Sequence, residues 1–441
     1  MTVKLLKHIV FLFCLTAFLL LSSSVYSQYK FTPDPFGHNS PQFSPFENYI
    51  DIDYNHPYLS LNSELTGNSN GLTNDFINQF YLGHFLDTDL KTNNLNRLQT
   101  QNNLLGYNWI TELKVNIPSK HRGLSYFAAF EDHNYYDIYY DKDLYRLVFF
   151  GNRDFAGQFM TLGNQSFTIM KFQQIKAGVV KTWFGKSHVN VFSAGLGINN
   201  GQTFLNYDIP KATFFTQSNA EYISMDLQMN MHRSDTVSSK FGAENGLGMS
   251  LDLSFYHRDA HNSFEIKLQN LGFITWNKHS QYYDKDTSIR FEGVNISNIF
   301  NLDAENIHLL TGDSLNNEFV HSDKTARFTN RIPMRGSINY TRYLWHNRLS
   351  LSFSLVNYYY LHFNPLICFE PSYKIKIKRS AINISPNVKY GGYGNLNYGL
   401  GISASVNSKF YIELRTDYLN GYMDPKNSSG LGGYVSIIKT L

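Results

Sequence analysis

One short stretch of the sequence has the spacing of a hydrolase nucleophile. The run "GNSNG" (67–71) matches G-x-S-x-G and lies between a strand-like segment and a helix-like segment. In hydrolases this motif places a serine hydroxyl on a sharp strand-to-helix turn, so Ser69 is a candidate acyl-transfer nucleophile. Such a turn belongs to a parallel sheet wrapped by many helices, and the chain lacks that alternation. A polar turn is therefore the competing interpretation, and we assign no catalytic residue.

A second stretch has the spacing of a metal site. The run "HRDAH" places His257 and His261 four residues apart, as a zinc site on a helix would. The run joins two strand-like segments, 247–256 and 263–276, and lacks the glutamate of a metalloprotease motif. A hairpin tip is the interpretation that we adopt, and we predict no metal and no cofactor.

Charged side chains on strand-like segments form a third group of candidates. One set shares the face opposite Tyr373 and Ile375, and it is either an anion-attracting stripe or a solvated strand face. The other set alternates in sign along the segment 410–416 and just beyond it. We predict that both sets line a lumen: Lys374, Lys376, Lys378, Glu413, Arg415 and Asp417.

Period-two alternation dominates the rest of the chain and predicts β-strands. In "GLGISASVNSKFYIELRTDYL" (399–419), apolar and polar residues alternate on both sides of a short polar break. Each strand then has one apolar and one polar face. Pairing the halves around Ser408 predicts these opposite pairs: Ala404 with Ile412, Ile402 with Leu414, Ser403 with Glu413, Gly401 with Arg415 and Gly399 with Asp417. Small residues stand opposite large charged ones, which makes room on a concave wall and favours a polar face that points into a lumen.

A second hairpin is predicted around Arg379 and Ser380, with pairs that keep their polarity. These pairs are Ile377 with Ile382, Ile375 with Ile384, Lys376 with Asn383 and Lys374 with Ser385. Counting the alternating segments gives about fourteen strands, within the range of outer-membrane barrels. We therefore predict an all-β fold, a transmembrane antiparallel β-barrel of about 14 strands with a few short helices near its N-terminal part.

Three segments carry helical signals. Residues 73–98 predict one or two short helices with Thr73 and Asp87 as N-caps, and residues 141–150 predict another that Gly151 ends. A third piece is expected within 298–315. We expect the first two to pack inside the barrel or to cap its periplasmic mouth.

The N-terminal region divides the chain into three parts. Lys4 and Lys7 precede an apolar run at 9–21, which is the layout of a secretory signal peptide, predicted over residues 1–27. An extended proline-rich arm is predicted over 28–57, and the barrel with short helical insertions over 58–441. Beyond residue 27 the chain has 36 basic (38 − 2) and 35 acidic residues, a balance that excludes a nucleic-acid-binding class.

The sequence also resembles a family of outer-membrane barrels, domain of unknown function fifty-seven twenty-three, which is distantly similar to FadL-type and PorV-type barrels. The resemblance is carried by "LVFFGNRDFAGQ" (147–158), "QNLGFITWN" (269–277) and "FTNRIPMRGSINY" (328–340). It implies a barrel in the outer membrane of a Gram-negative cell, and it implies neither an activity nor site residues.

We therefore expect a non-enzymatic outer-membrane barrel surrounded by outer-membrane lipid. It would either pass a small solute, hydrophobic ones included, or act as a membrane partner of another protein in an export or surface-attachment assembly. Two alternatives stay open, an outer-membrane hydrolase that uses Ser69 and a soluble secreted β protein.

Overall fold

The structure, a computed structural model, describes residues 57–121, 123–185, 187–219, 221–235, 241–291, 324–377, 380–406 and 409–441. The predicted signal peptide (1–27), the predicted arm except for Pro57, the helix predicted within 298–315, and Lys378 all lie outside these ranges.

The described residues form nineteen strands. Their bounds are β1 (Tyr58–Ser69), β2 (Asn103–Pro118), β3 (Leu124–Tyr140), β4 (Phe159–Thr161), β5 (Gln165–Phe184), β6 (Val189–Thr216), β7 (Ile223–Arg233), β8 (Gly246–Arg258), β9 (Asn262–Trp276), β10 (Gln281–Phe291), β11 (Lys324–Thr325), β12 (Thr329–Arg331), β13 (Met334–Leu344), β14 (Leu349–Tyr359), β15 (Asn364–Ile377), β16 (Ser380–Gly392), β17 (Asn397–Val406), β18 (Phe410–Thr416) and β19 (Leu431–Thr440).

Fourteen of these strands close an antiparallel barrel, which confirms the predicted fold and strand number. The circuit runs β1, β2, β3, β5, β6, β8, β9 and then β13 through β19. It closes where β19 pairs with β1, from Tyr58 opposite Thr440 to Gly67 opposite Leu431. Closure leaves the wall without an unpaired edge, as a sheet in lipid requires.

The two ends of the barrel differ. At one end lie the start of β1, the end of β19 and short turns such as the one between Arg258 and Asn262; we call it the turn end. The opposite end, the long-loop end, carries the connection from Ser69 to Asn103 and that from Tyr140 to Gln165. Outer-membrane barrels have short periplasmic turns and long extracellular loops, so the long-loop end is assigned to the cell exterior.

A ribbon of β6, β7 and β10, with the short β4 on the other side of β6, extends from the wall at the long-loop end. The first part of β6 pairs with β8, but its second part, from Leu205 to Thr216, pairs with β7 instead. β10 pairs with the other side of β7 over all eleven of its residues. At roughly 3.3 Å per residue, the ribbon is about 35 Å long.

The apolar strand faces point away from the barrel interior. Outward side chains that are 43–66% exposed include Ile175, Leu196, Met249, Leu271, Phe353, Ile402 and Leu414. A soluble protein rarely leaves so large an apolar belt in water, whereas a lipid-facing barrel wall requires it. The protein is therefore an outer-membrane β-barrel, and the soluble alternative is wrong.

Four α-helices lie in the described connections. They are α1 (Asn74–Tyr81), α2 (Thr88–Arg97), α3 (Lys142–Phe150) and α4 (Leu419–Met423), with a 3-10 turn at Arg153–Phe155. The predicted N-caps are confirmed, since Thr73 accepts from the Phe76 N–H and Asp87 from the Leu90 N–H. Gly151 ends α3 with φ +81°. Within the described residues, every helix is too short or too polar to cross a bilayer.

The first helices lie elsewhere than expected. Leu105 and Ile138, which face outward on β2 and β3, pack against Leu72, Phe76 and Leu98. The helical segment therefore covers the outer face of the wall near the long-loop end, and the expected place inside the lumen or at the periplasmic mouth is wrong. The apolar face of this segment packs on the outward apolar side chains of β2 and β3, which the barrel wall would otherwise expose.

Candidate functional site

Arg415 stands at the centre of a charged cluster inside the barrel. Its guanidinium lies 2.8 Å from Glu413 on the same strand and 2.9 Å from Glu370 on β15. All three side chains are at most 2% exposed. We call Arg415, Glu413 and Glu370 the arginine cluster. The forked guanidinium suits it, since a planar group with several donors can hold two carboxylates at once.

The predicted hairpin register around Ser408 is confirmed. Gly401 pairs with Arg415, Ser403 with Glu413 and Ala404 with Ile412. A Cβ atom added at Gly401 would lie 3.2 Å from Arg415 Nε, so the small residue does make room for the charged one. Asp417, the third residue of this set, lies beyond the strand and pairs with Lys389 at 2.7 Å. Lys389 and Glu370 were not singled out from the sequence.

The lysine stripe is not continuous. Lys374 is half-buried on the same strand face as Glu370, whereas Lys376 is exposed near the turn end. Lys378 lies outside the described residues. An anion-attracting role for these residues stays a prediction.

A second charged cluster, which the sequence did not reveal, lies on the other side of the barrel. Lys176 Nζ contacts Glu131 at 3.0 Å and Asp252 at 2.7 Å. His133 Nε2 lies 2.8 Å from the same Glu131 carboxylate. We call Lys176, Glu131, Asp252 and His133 the lysine cluster.

Glycines also flank the lysine cluster, but a Cβ atom at Gly195 would meet Phe127 and one at Gly197 would meet Ser250 and Gln174, so they leave room for these side chains and not for Lys176. Between Lys176 and Asp252 runs β6, where Gly197 pairs with Lys176 and Gly195 with Asp252. The rule that small residues flank large charged ones would have found this cluster only if the pairing of β5, β6 and β8 had been known.

An apolar layer crosses the interior between these clusters and the long-loop end. Its buried members come from β2, β3, β5, β6, β9, β14, β15 and the segment before β13: Ile110, Tyr135, Met170, Phe172, Phe204, Ile274, Trp276, Ile332, Val356, Tyr358 and Leu366. The Trp276 ring packs closely against the backbone of Gly201 on the wall. A Cβ atom at Gly201 would come within 2.7 Å of the ring. The layer separates the charged middle of the interior from the outer mouth.

One loop reaches across the interior at this level. The loop of residues 360–363, here the crossing loop, follows β14, the ninth strand of the circuit, yet it contacts β3, the third. His362 donates its backbone N–H to Asp137 at 3.0 Å, and its Nδ1 lies 2.7 Å from the same carboxylate. Phe363 packs against Tyr358 and Tyr393, each with 5.1 Å between ring centroids. Burial, and next the nearby Asp137 carboxylate, raise the pKa of Tyr393, which therefore stays protonated.

A cavity of about 30 Å³ lies beneath the crossing loop. Its lining includes Glu64, Asn108, Lys389 and Tyr418. One water molecule needs about 10–15 Å³ on this measure, so the cavity holds little more than solvent. Burial raises the pKa of Tyr418, which closes one side of it.

Ser69 does not have the surroundings of a nucleophile. Its hydroxyl donates to the Leu104 carbonyl at 2.7 Å and accepts from the N–H groups of Gly71 and Leu72. The side chain is fully buried where the chain leaves β1. "GNSNG" is thus a turn that the serine holds through backbone contacts.

The two histidines of "HRDAH" lie at a hairpin tip, as expected. Asp259 caps the turn by accepting from the N–H groups of His261 and Asn262, and these bonds, that from His261 first, lower the pKa of Asp259. His257 Nδ1 lies 2.7 Å from Asn190 Oδ1. Within the described ranges, no group of three histidine, cysteine or acidic residues is placed to hold a metal.

Solved structures of low sequence identity are similar to this chain. A FadL homologue of Pseudomonas aeruginosa is 9% identical, with 92% of this chain and 96% of that one covered and a TM-score of 0.39. The P. putida toluene transporter TodX is 6% identical, with 88% and 91% covered and a TM-score of 0.40. OprB of Pseudomonas putida is 9% identical, with 89% and 94% covered and a TM-score of 0.27.

No curated protein sequence matches the chain. A family model does: the Family of unknown function (DUF5723) matches residues 44–414, which confirms the resemblance drawn from the three short stretches. The match covers most of the chain, from the predicted arm to β18. The chain belongs to this family of unknown function, DUF5723.

Proposed function

We propose that this protein is a non-enzymatic outer-membrane barrel that is closed at rest and acts through its surface, as the membrane partner of another protein in an export or surface-attachment assembly. One observation carries the proposal: the middle of the interior is occupied by buried charges that are paired with one another. The arginine cluster and the lysine cluster lie on different sides of the barrel and extend inward from several strands.

Paired charges of this kind resist opening. Widening the interior between β15 and β18 separates Arg415 from Glu370 and leaves a charge without a partner, which destabilises a protein by about 3–5 kcal/mol when no water replaces the partner. The same holds between β5 and β8, where Lys176 meets Asp252. A freely diffusing solute would have to displace both sets.

The projecting ribbon supports a role at the surface. Its strands β7 and β10 extend past the wall, and Asp284, Asp286 and Arg290 are exposed along β10. Within the described residues, β10 is paired with β11 only at Gln281 and Tyr282 on its outer side. Such an edge is a common place for another chain to add a strand.

The proposal is tested by a detergent pull-down with mass spectrometry from intact envelopes. A protein recovered in a fixed ratio with the barrel is expected. Its recovery should fall in the variant Asp284→Lys with Asp286→Lys on the ribbon. The matched control, Asp89→Lys with Asp424→Lys, reverses two exposed acids in connections away from the ribbon and should leave recovery unchanged. A barrel that is recovered alone in every case contradicts the proposal.

A second function, gated passage of a small solute, is favoured by the crossing loop. Its polar attachment to β3 runs through one residue, His362, on one carboxylate, Asp137. A loop with one polar attachment to the opposite strand is easier to displace than a wall of paired charges. Solute-dependent conductance of the unmodified barrel would support this function over the first.

A further inference from the structure

Four large side chains at the long-loop end are left exposed although they are apolar. Phe80, Tyr81, Leu82 and Phe85 are 59%, 71%, 62% and 86% exposed. They are consecutive or nearly so, at the end of α1 and in the turn that follows. We call these four residues the aromatic tip. Contiguous exposed apolar groups mark a contact with a membrane or with another protein.

The buried side of α1 packs against other apolar residues of the protein. Phe76 is buried against Tyr145 and Phe149, with 5.5 and 5.1 Å between ring centroids. The helix lies on the outer face of β2 and β3, because it belongs to the cluster that covers Leu105 and Ile138. Phe80 still contacts this cluster edge to face through Phe149, with 5.7 Å between ring centroids, while Tyr81, Leu82 and Phe85 are the more exposed part of the aromatic tip.

The aromatic tip continues the outer surface of the wall. Tyr107 on β2 and Tyr136 on β3 face outward and pack edge to face, with 5.4 Å between ring centroids. The helix that carries the tip lies on the same two strands, because its cluster covers Leu105 and Ile138. Aromatic rings with one polar end are typical of the level where lipid headgroups meet acyl chains.

We propose that the aromatic tip is inserted into the interfacial region of the outer leaflet and anchors the helical segment there. The occupant of this surface is lipid, because the tip is continuous with a wall that already faces lipid. His84 and Asp87, both exposed beside it, provide the polar side that an interfacial segment needs. This inference rests on the place of the barrel in the membrane and not on the proposed partner role.

The test uses a nitroxide label at a single cysteine. Cys368 is buried, and Cys14 lies in the predicted signal peptide, so Cys368→Ala leaves a mature chain without a reactive thiol. In this background Phe85→Cys is labelled, with Leu271→Cys on the outer wall of β9 as the lipid reference. Lys426→Cys, exposed in the polar connection before β19, is the water reference. The whole barrel is placed in vesicles of phosphatidylethanolamine and phosphatidylglycerol, and a heat-modifiable gel shift verifies that each variant is folded.

The readout is the collision rate of each label with oxygen, which concentrates in lipid, and with a nickel chelate, which stays in water. The label at residue 85 is expected to favour oxygen over the chelate, as the label at residue 271 does. A label at 85 that behaves like the label at 426 overturns the proposal. Low collision rates with both reagents also overturn it, because they mean that protein, such as a second copy of the chain, covers the tip.

Discussion

The arginine cluster and the lysine cluster both pair a buried cation with carboxylates inside the barrel, but they do so with different side chains. Each places a buried cation between two carboxylates, and a glycine pairs with each cation on the neighbouring strand, although only Gly401 would contact its cation if it carried a Cβ atom. Arg415 holds its partners through a planar fork, and one of them, Glu413, lies two residues away on the same strand. Lys176 holds Glu131 and Asp252 from two other strands, and His133 also contacts Glu131.

This difference predicts how strongly each cluster responds to the loss of its cation. Arg415 pairs with two carboxylates through one guanidinium, so its loss removes both ion pairs at once. Glu131, in contrast, also has the His133 ring as a hydrogen-bond partner, which stays in place if the lysine is lost. We therefore expect the arginine cluster to respond more strongly to the loss of its cation.

Arg415→Ala should have the largest effect. It leaves Glu370 and Glu413 buried without their cation, and we expect the free energy of unfolding in detergent to fall by about 3–5 kcal/mol. The double variant with Glu413→Ala should recover part of the loss, since one of the two carboxylates is gone. The control Lys426→Ala removes an exposed cation in the connection before β19 and should change stability by less than about 0.5 kcal/mol. A single variant as stable as the parent would mean that water fills this part of the interior.

Lys176→Met should have a smaller effect, about 3 kcal/mol, because the His133 ring remains a hydrogen-bond partner of Glu131. Adding His133→Ala should then remove this compensation and increase the loss. The control is Lys376→Met, which changes an exposed lysine near the turn end. If Lys176→Met destabilises more than Arg415→Ala, the compensation by His133 is wrong.

Gly201→Ala tests the apolar layer and should cost about 1–3 kcal/mol, as overpacking does. The added methyl group would meet the Trp276 ring at 2.7 Å, and a ring packed flat on the wall has little room to move. Gly336→Ala is the control, since its nearest neighbour would be at 3.4 Å. Equal unfolding midpoints for the two variants would show that Trp276 is not held against the wall.

His362→Ala should have the smallest effect on stability, about 1 kcal/mol or less, because its ring is 41% exposed. Its effect on conductance should be larger than its effect on stability, since the crossing loop loses its side-chain contact with Asp137. Brief openings in a planar bilayer are expected, and His279→Ala, an exposed histidine in a neighbouring turn, should show none. If neither variant shows openings in the bilayer, the support for gated passage is removed.

Local patterns in the sequence predicted the parts of the fold that local physics determines. The N-caps at Thr73 and Asp87 and the hairpin at Ser408 were predicted correctly, because a cap or a short hairpin involves neighbours in sequence. The second hairpin was wrong by two residues: Ile375 pairs with Ile382 and Lys374 with Asn383. A shift of two keeps every side chain on its face, so polarity cannot detect it. The two-residue connection between Ile377 and Ser380 sets the register instead.

The lysine cluster and the crossing loop could not be predicted in this way. Glu131 and Asp252 lie 121 residues apart (252 − 131). They share Lys176 only because the circuit places β3, β5, β6 and β8 side by side. The contact from His362 to Asp137 spans 225 residues and nearly the width of the barrel. Both depend on the closed circuit, which the alternation of single strands does not encode.

The central claim, a barrel interior closed by paired charges and an apolar layer, is tested most directly by the single-channel conductance of the unmodified protein in a planar bilayer. We predict that insertion of the folded barrel produces no steady open state at moderate voltage. A stable, ohmic conductance that accompanies every insertion would contradict the account, because a continuous water-filled pore cannot pass through the clusters and the layer described above.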